Sequence, residues 1–502
     1  MASACDKIFW RDIGNCEGER EVQKWPPLLA GLLVHHAQGY LGFHTPGHKQ
    51  GRGAWPEWRN LLGEQVFSLD LTELPGLDNL QEPQGIIKEA ADAAAAYFGA
   101  EKSFFLVNGT TSGILAMLLA SCSPGDYVFI PRYCHQAVVH GLILSGARPV
   151  YLQVRFHPEL GLPGAVENSV LEKALLEADV QPRALFLIHP NYYGLVGDIQ
   201  AQVDLAHSRG IVVLVDEAHG AHFCASSRFP TPSLQAGADM VAQGAHKVLG
   251  AFTQAAFLHC GRGFADLGRL RQALRIVQTS SPSYLLLASL DVARYQCSQE
   301  QEKWEKLAEF GLELRQKISQ IPGLMAPGEE LREVPGVVSF DPARLIVNVS
   351  ELGVSGFEAA FWLQKERQIL VEMADFQNVL LILSPPDLDY REKILAACRD
   401  LAMALKGSGK LENPLLELEN IPLSPQVLTP REAFFAPREE VAVSSAEGRV
   451  AAEAVTPYPP GVPVIFPGEE ITREALEYLT AWERAGGTWP GQERGTIQVV
   501  AD

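Results

Sequence analysis

Two lysines in this chain follow a histidine directly: Lys49 in "HTPGHKQG" and Lys247 in "QGAHKVLG". A lysine amine attacks carbonyl carbon when it is neutral, so either could act covalently. Their settings differ. Lys247 comes just after the apolar run "MVAQ", whereas Lys49 lies in Gly/Pro-rich chain with no strand before it to hold it. Upstream of Lys247 by 31 residues (247 − 216), the run "IVVLVD" ends on Asp216. In "VNGTTSG", a strand gives way to a helix at Gly109, Thr110 and Thr111, and the free N–H groups of such a helix start suit a phosphate. "HPNYYGLVGD" reads as a further strand end carrying aromatic and polar groups. Each piece alone has a plain reading: a structural strand-end carboxylate, an ordinary helix cap, a solvated lysine. Together they supply an amine, a carboxylate and an anion cradle. Those are the needs of pyridoxal 5'-phosphate: a Schiff-base lysine, an acid partner for the pyridine nitrogen and a phosphate site.

The elements between these residues decide whether they share one edge. "KSFFLVN", "DYVFIPR", "RPVYLQV", "RALFLIHP", "IVVLVDEAH", "GADMVAQGAHK" and "QAAFLHC" read as seven strands. Helical stretches alternate with them, among them "GIIKEAADAAAAYFG" ending at Gly99, "GTTSGILAMLLASC" and "AVVHGLILSG". The pattern predicts an α/β fold whose mostly parallel seven-stranded sheet is covered on both faces. Ligands of such folds sit beyond the C-terminal strand ends, where the polar motifs fall here. After about residue 300 the rhythm changes. A long amphipathic helix, "QEKWEKLAEFGLELRQKISQI", leads to "RLIVNVS" and "VLLILSPP" around the helix "GFEAAFWLQKER", a smaller α+β unit. The expected organisation is an N-terminal arm (1–40), a large cofactor-binding domain (41–330), a small α+β domain (331–406), a linker (407–437) and a C-terminal domain (438–502).

Composition narrows the function classes. The 502 residues exceed one compact core. Hydrophobic content of 47% and charged content of 20% fit a soluble globular chain. The net charge of −19 argues against a nucleic-acid surface and is compatible with cationic ligands, or with simple solubility. Eight scattered cysteines without a Cys-x-x-Cys pair point away from disulfide or metal frameworks and toward the cytoplasm. No signal-like segment opens the chain, and no apolar stretch reaches the roughly 18 residues that span a bilayer.

The motifs resemble the bacterial ornithine/lysine/arginine decarboxylases, pyridoxal-phosphate enzymes of the aspartate-aminotransferase fold (fold type I), in their short form without an extra N-terminal receiver-like domain. The resemblance runs through "FHTPGHKQG", "DLTELPGLDNL", "VNGTTSGI", "PRYCHQAVVHGLILSGARPVY", "DEAHGAHF", "AHKVLGAFTQAAFLH", "TSSPSYLLLASLD" and "GRVAAEAVTPYPPGVPVIFPGE". It implies roles by position. Lys247 matches the Schiff-base lysine and Asp216 the partner of the pyridine nitrogen. His135 matches a histidine stacked on the cofactor ring, with Ala218 on the opposite ring face. Gly109, Thr110 and Thr111 match the phosphate loop, and Ser280 a residue that reaches a neighbouring subunit's phosphate. His219 matches a group bonded to the ring hydroxyl, and His246 one that touches substrate or donates a proton. Two departures stand out. The family's Ser-Thr-His-Lys is Gly244-Ala245-His246-Lys247 here, which removes a phosphate-binding serine. Its His-Lys-Ser is His135-Gln136-Ala137.

The implied reaction is decarboxylation of a basic L-amino acid to its amine and CO2, feeding polyamine synthesis. Arginine or lysine is favoured over ornithine by resemblance to the short members. The Cα proton returns from His246 or Lys247. The expected partners are the small-molecule substrate and a second copy of the chain, as a homodimer or higher homo-oligomer with shared sites; no metal, nucleic acid or membrane is expected. A carboxylate or aromatic groups should meet the substrate's cationic end, and Glu372 and Asp375 in "VEMADF" are candidates. Glu469 either fixes a turn or lines the site. "HTPGHKQG" reads as a signature loop at the active-site mouth, acting through His44 or His48. Two other readings remain: a different reaction on the same fold, such as transamination or side-chain lysis, or a catalytically impaired regulatory relative.

Overall fold

The computed structural model describes residues 25–264, 266–407, 411, 420–458, 461–484 and 486–501. Most of the expected N-terminal arm, residues 1–24, lies outside the described residues, as do 408–410 and 412–419 of the expected linker.

The seven apolar runs form one sheet: β1 (Lys102–Leu106), β2 (Tyr127–Pro131), β3 (Arg148–Leu152), β4 (Ala184–Ile188), β6 (Val212–Asp216), β7 (Met240–Gln243) and β8 (Ala256–Cys260), in the order β1-β8-β7-β6-β4-β2-β3. Strands β3, β2, β4, β6 and β7 pair in parallel, and β8 runs against both of its neighbours. The C-terminal ends of β1, β2, β4, β6 and β7 therefore share one edge. The inner strands are apolar throughout because helices cover both faces. One face packs on Gly109–Ser121 and Gln136–Ser145 through Ile114, Leu118, Val138 and Leu142. At Gly113 an added Cβ would stand 2.9 Å from Leu106 and 3.2 Å from Ala242, so a side chain there would lift the helix that carries the candidate phosphate loop.

A short pair, β5 (Leu195–Val196) with β9 (Ser339–Phe340), joins this unit to a smaller antiparallel sheet of β10 (Arg344–Asn348), β12 (Asn378–Ile382) and β11 (Met373–Ala374). Helix Gly356–Arg367 begins on a capping box, with Ser355 and Glu358 satisfying each other's backbone N–H groups. The C-terminal region has β13 (Arg438–Ala442) against β14 (Thr496–Val500) and helix Arg473–Arg484. Its apolar side chains Ile465, Leu479 and Trp482 share a core with Leu152, Leu185 and Val213 of the large sheet.

Several elements differ from the sequence expectation. Residues 43–78 hold two short helices, Pro56–Leu62 and Glu64–Leu69, in what reads as loop. Helices Leu267–Val277, Tyr284–Gln299 and Arg391–Ala404 were not anticipated. Tyr284–Gln299 buries Leu287, Leu290, Asp291 and Arg294, so it has no clean polar stripe to betray its period. Inside the expected linker, Pro430–Phe435 is a capped helix whose Arg431 donates to the Leu144 carbonyl at 3.0 Å.

Glu469 fixes structure rather than lining a site. It is fully buried and pairs with the fully buried Arg132 at 2.5 and 3.0 Å, while accepting the Phe466 N–H at 2.9 Å. Arg132 also donates to the Val464 carbonyl at 2.7 Å and lies over the Phe466 ring at 4.4 Å. The pair pins the C-terminal region beside the end of β2. Glu469→Gln leaves an uncompensated buried guanidinium, and the expected loss is about 3–5 kcal/mol in denaturant unfolding. A loss below about 1 kcal/mol would show that the pair is not a clamp.

Candidate active site

The shared sheet edge gathers most of the residues named from the sequence. Asp216 closes β6, is buried, and accepts the Ala218 N–H at 3.0 Å through Oδ1. β7 ends at Gln243, and Lys247 follows in the short helix Ala245–Val248. The Lys247 amine stands 2.8 Å from Nε2 of the buried His219. Burial pulls Lys247 below the ordinary lysine range; Asp216 opposes this, and Arg344 adds to it. Burial also holds the His219 imidazole well below its usual value, with the charges of Lys247 and Arg344 reinforcing it.

The remaining residues stand around that pair. His135 follows β2 and caps helix Gln136–Ser145, its Nδ1 accepting the Ala137 N–H at 3.1 Å. His135 is exposed. Desolvation lowers its pKa, Asp216 raises it and Lys247 lowers it, so the ring lies within reach of both charges. Ala218 is buried beside Asp216. His246 donates from Nδ1 to the Ala255 carbonyl at 3.0 Å. Ser280 is exposed in the chain leading to helix Tyr284–Gln299 and is not part of this cluster.

The candidate phosphate loop opens helix Gly109–Ser121, which has no side-chain cap. Gly109 adopts φ 68°, and its own N–H is spent on the Gln254 carbonyl at 2.8 Å. Thr110 is buried and Thr111 exposed. An uncapped helix start at the strand edge that delivers an amine and a carboxylate fits a phosphorylated pyridine aldehyde. Gly244 has its own reason. A Cβ there would meet the Ala218 carbonyl oxygen at 2.7 Å, and the Gly244 N–H donates to that oxygen at 3.2 Å. The close approach that seats Asp216 and His219 beside Lys247 therefore excludes the family's serine. Ala245 is wholly buried, so a methyl suits it.

Tyr192 and Glu372 stand beside this cluster. The Tyr192 ring packs on His219 at 4.6 Å between centroids, and its hydroxyl donates to Glu372 at 2.6 Å. Glu372 is exposed, and its charge acts on both Lys247 and Arg344. Asp375 is different. It is buried and fully engaged by the Tyr193 hydroxyl at 2.5 Å and the N–H groups of Gln377 and Asn378 at 2.8 and 2.7 Å, so it holds a turn. Arg344 and Tyr192 were missed as site residues. "HPNYYG" carried a signal for Tyr192; Arg344 begins a strand of another sheet and had none.

The signature loop closes on itself. Lys49, at φ 51°, donates to the His44 carbonyl, and His48 lies 3.1 Å from Asp70 and edge-on to Phe67. Next to Asp216, burial pushes Glu217 up to about 7, although Ser233 N–H and Gln243 both donate to it at 2.8 Å.

Known proteins were compared with the chain. Sequence profiles of the Orn/Lys/Arg decarboxylase major domain and C-terminal domain match residues 26–334 and 420–500. An arginine decarboxylase of Bacillus anthracis is 37% identical over 94% of this chain and 96% of its own length. One from Bacillus subtilis is 36% identical over 94% and 97%. Among solved structures, the Francisella novicida lysine decarboxylase superposes with a TM-score of 0.82 at 20% identity, covering 95% of this chain and 81% of its own. Lysine decarboxylase A of Pseudomonas aeruginosa gives 0.82 at 21%, covering 98% and 82%. Those structures share the fold, and the sequence matches extend through nearly the whole chain: it belongs to the Orn/Lys/Arg decarboxylase family of pyridoxal-phosphate-dependent lyases.

Proposed function

We propose that this chain decarboxylates L-arginine to its amine, with lysine a poorer substrate and ornithine poorer still. The observation that carries the reading is the Lys247 amine, beside Asp216 and an uncapped helix start on one sheet edge. The names of its Bacillus relatives support arginine.

When bound, pyridoxal phosphate supplies an electron sink for the pair left behind as the Cα–carboxylate bond breaks. The chain's residues do the rest. Lys247 would anchor the cofactor covalently. Asp216 would partner its pyridine nitrogen, and His219 would hydrogen-bond its ring hydroxyl. His135 and Ala218 would pack on its ring. Gly109, Thr110 and Thr111 would hold its phosphate, and Ser280 would serve a neighbouring subunit's site. His246 Nε2 or Lys247 Nζ returns the proton to Cα.

Glu372 is assigned to the substrate's cationic end. It is exposed, ionisable and oriented by Tyr192 beside the cluster. Glu372→Gln keeps an acceptor for Tyr192 but removes the charge. KM for arginine is expected to rise about 10- to 100-fold with kcat little changed, the equivalent of a charged hydrogen bond of ~1.5–3 kcal/mol. An unchanged KM would remove Glu372 from substrate recognition.

A homodimer is proposed as the working unit. Tyr40, Leu41, Phe43, Trp55, Trp58 and Leu61 expose large apolar side chains close together in sequence, an association surface for a second copy. No helix of the described residues is long and apolar enough to cross a membrane; the cytoplasm is the proposed compartment, supported by the cysteine pattern. The test is release of CO2 and amine from arginine, lysine and ornithine, assayed side by side. Arginine is expected to give the highest kcat/KM. Turnover of none overturns the reading, and a keto acid without CO2 would instead favour transamination.

A further inference from the structure

His219 is contacted at both ring nitrogens. Nε2 lies 2.8 Å from the Lys247 amine and Nδ1 lies 3.0 Å from Nη2 of Arg344. The same Nη2 donates to the His219 backbone carbonyl at 3.1 Å, so the arginine grips both ring and main chain. A guanidinium only donates. Nδ1 must therefore accept, and a neutral imidazole with Nδ1 accepting carries its proton on Nε2. That proton points at Lys247, whose nitrogen can accept it only as a free base.

We propose that Arg344 is a positioning residue: by donating to Nδ1 it locks His219 in the Nε2–H form, and His219 thereby holds the Lys247 nitrogen unprotonated. This rests on the reading of Lys247 as the cofactor's anchor.

The turn that presents Arg344 is tied down, and the guanidinium bonds through Nη2 while Nε and Nη1 have no hydrogen-bond partner among the described residues. It is fully buried. Arg315, also buried, donates to the carbonyls of Pro342 at 2.7 Å, Asp341 at 3.4 Å and Arg344 itself at 2.5 Å, tying down the turn that presents it. The Asp341 carboxylate lies 3.9 Å from Arg344 Nε and 3.1 Å from the buried His222, balancing the guanidinium charge. The charges facing Lys247 are Asp216 and Glu372, which favour its protonated form, and Arg344, which disfavours it. His219 feels burial and the charges of Lys247, Arg344, His135 and His246, each of which disfavours an imidazolium.

The test is a pH titration of the visible absorbance band of the holoenzyme, without substrate, which reads protonation of the Lys247 nitrogen. In Arg344→Met, which has no donor, the midpoint is expected to move up by about one pH unit or more. Arg344→Lys, which keeps a cation and a donor, should restore most of the wild-type midpoint. His219→Phe breaks the relay at its next link and should move the midpoint in the same direction. In the double variant, Arg344→Met should add much less than it does alone. A wild-type midpoint in Arg344→Met overturns the proposal, as do fully additive shifts. Should Arg344→Met fail to fold, an unmoved midpoint in His219→Phe overturns it equally. A holoenzyme that shows these shifts but decarboxylates nothing would sink the functional reading and leave this one standing; a protein with no visible band overturns both.

Discussion

Lys247→Ala lowers decarboxylation by about 10⁴-fold or more and removes covalently held cofactor, while thermal stability of the cofactor-free chain changes little. The size of the effect follows from what the residue does. An amine that anchors the cofactor aligns it for exchange with the substrate amine, and no neighbour replaces it. His246 precedes it but spends one ring nitrogen on Ala255. Lys49 is tied to its own loop's carbonyl at His44. The lowered pKa of Lys247 sets the pH sense. Capture of cofactor by the cofactor-free chain speeds up as pH rises through the depressed value, where the neutral amine accumulates, and then levels off. Residual cofactor capture at another lysine in Lys247→Ala, with activity retained, would contradict the assignment. Activity and mass of the reduced protein are the two measurements.

Asp216→Asn is expected to cost about 10²–10³-fold in kcat, the loss seen when one preorganised electrostatic partner is removed from a site. The substitution is nearly isosteric. Asparagine can still accept the Ala218 N–H that Asp216 holds at 3.0 Å, so local geometry persists and the loss reports charge. Burial strengthens that charge, because Asp216 sits at the strand end away from bulk water. Cofactor affinity should fall as well, measured by the concentration needed to regain the visible band. A variant with kcat within a few-fold of wild type would mean that the pyridine nitrogen does not rely on this carboxylate.

The sheet was legible because its strands are short unbroken apolar runs, and both faces are covered. β1, β2, β3, β4, β6, β7 and β8 all fall within the runs read from the sequence. The candidate site was legible to the same depth, since parallel strands place their C-terminal ends together whatever their order. Asp216, Lys247 and the Gly109 loop needed only that rule, whereas His135 came from the family resemblance. What escaped depends on partners distant in sequence. Arg132 and Glu469 are 337 residues apart, and only folding shows that the carboxylate clamps a domain contact. Arg344 lies 125 residues from His219 and acquires its meaning from a second sheet swinging β10 against the first. Gly244 looked like a loss of phosphate binding; the 2.7 Å approach of the Ala218 carbonyl shows a packing cause.

The central claim, that Lys247 carries the cofactor at the edge of the large sheet, has a direct measurement. Holoenzyme is reduced with borohydride, digested, and the modified peptide identified by mass. The account predicts a pyridoxyl group on Lys247, in the peptide containing "GAHKVLG". Modification of Lys49 or of any other lysine, with Lys247 unmodified, would contradict it.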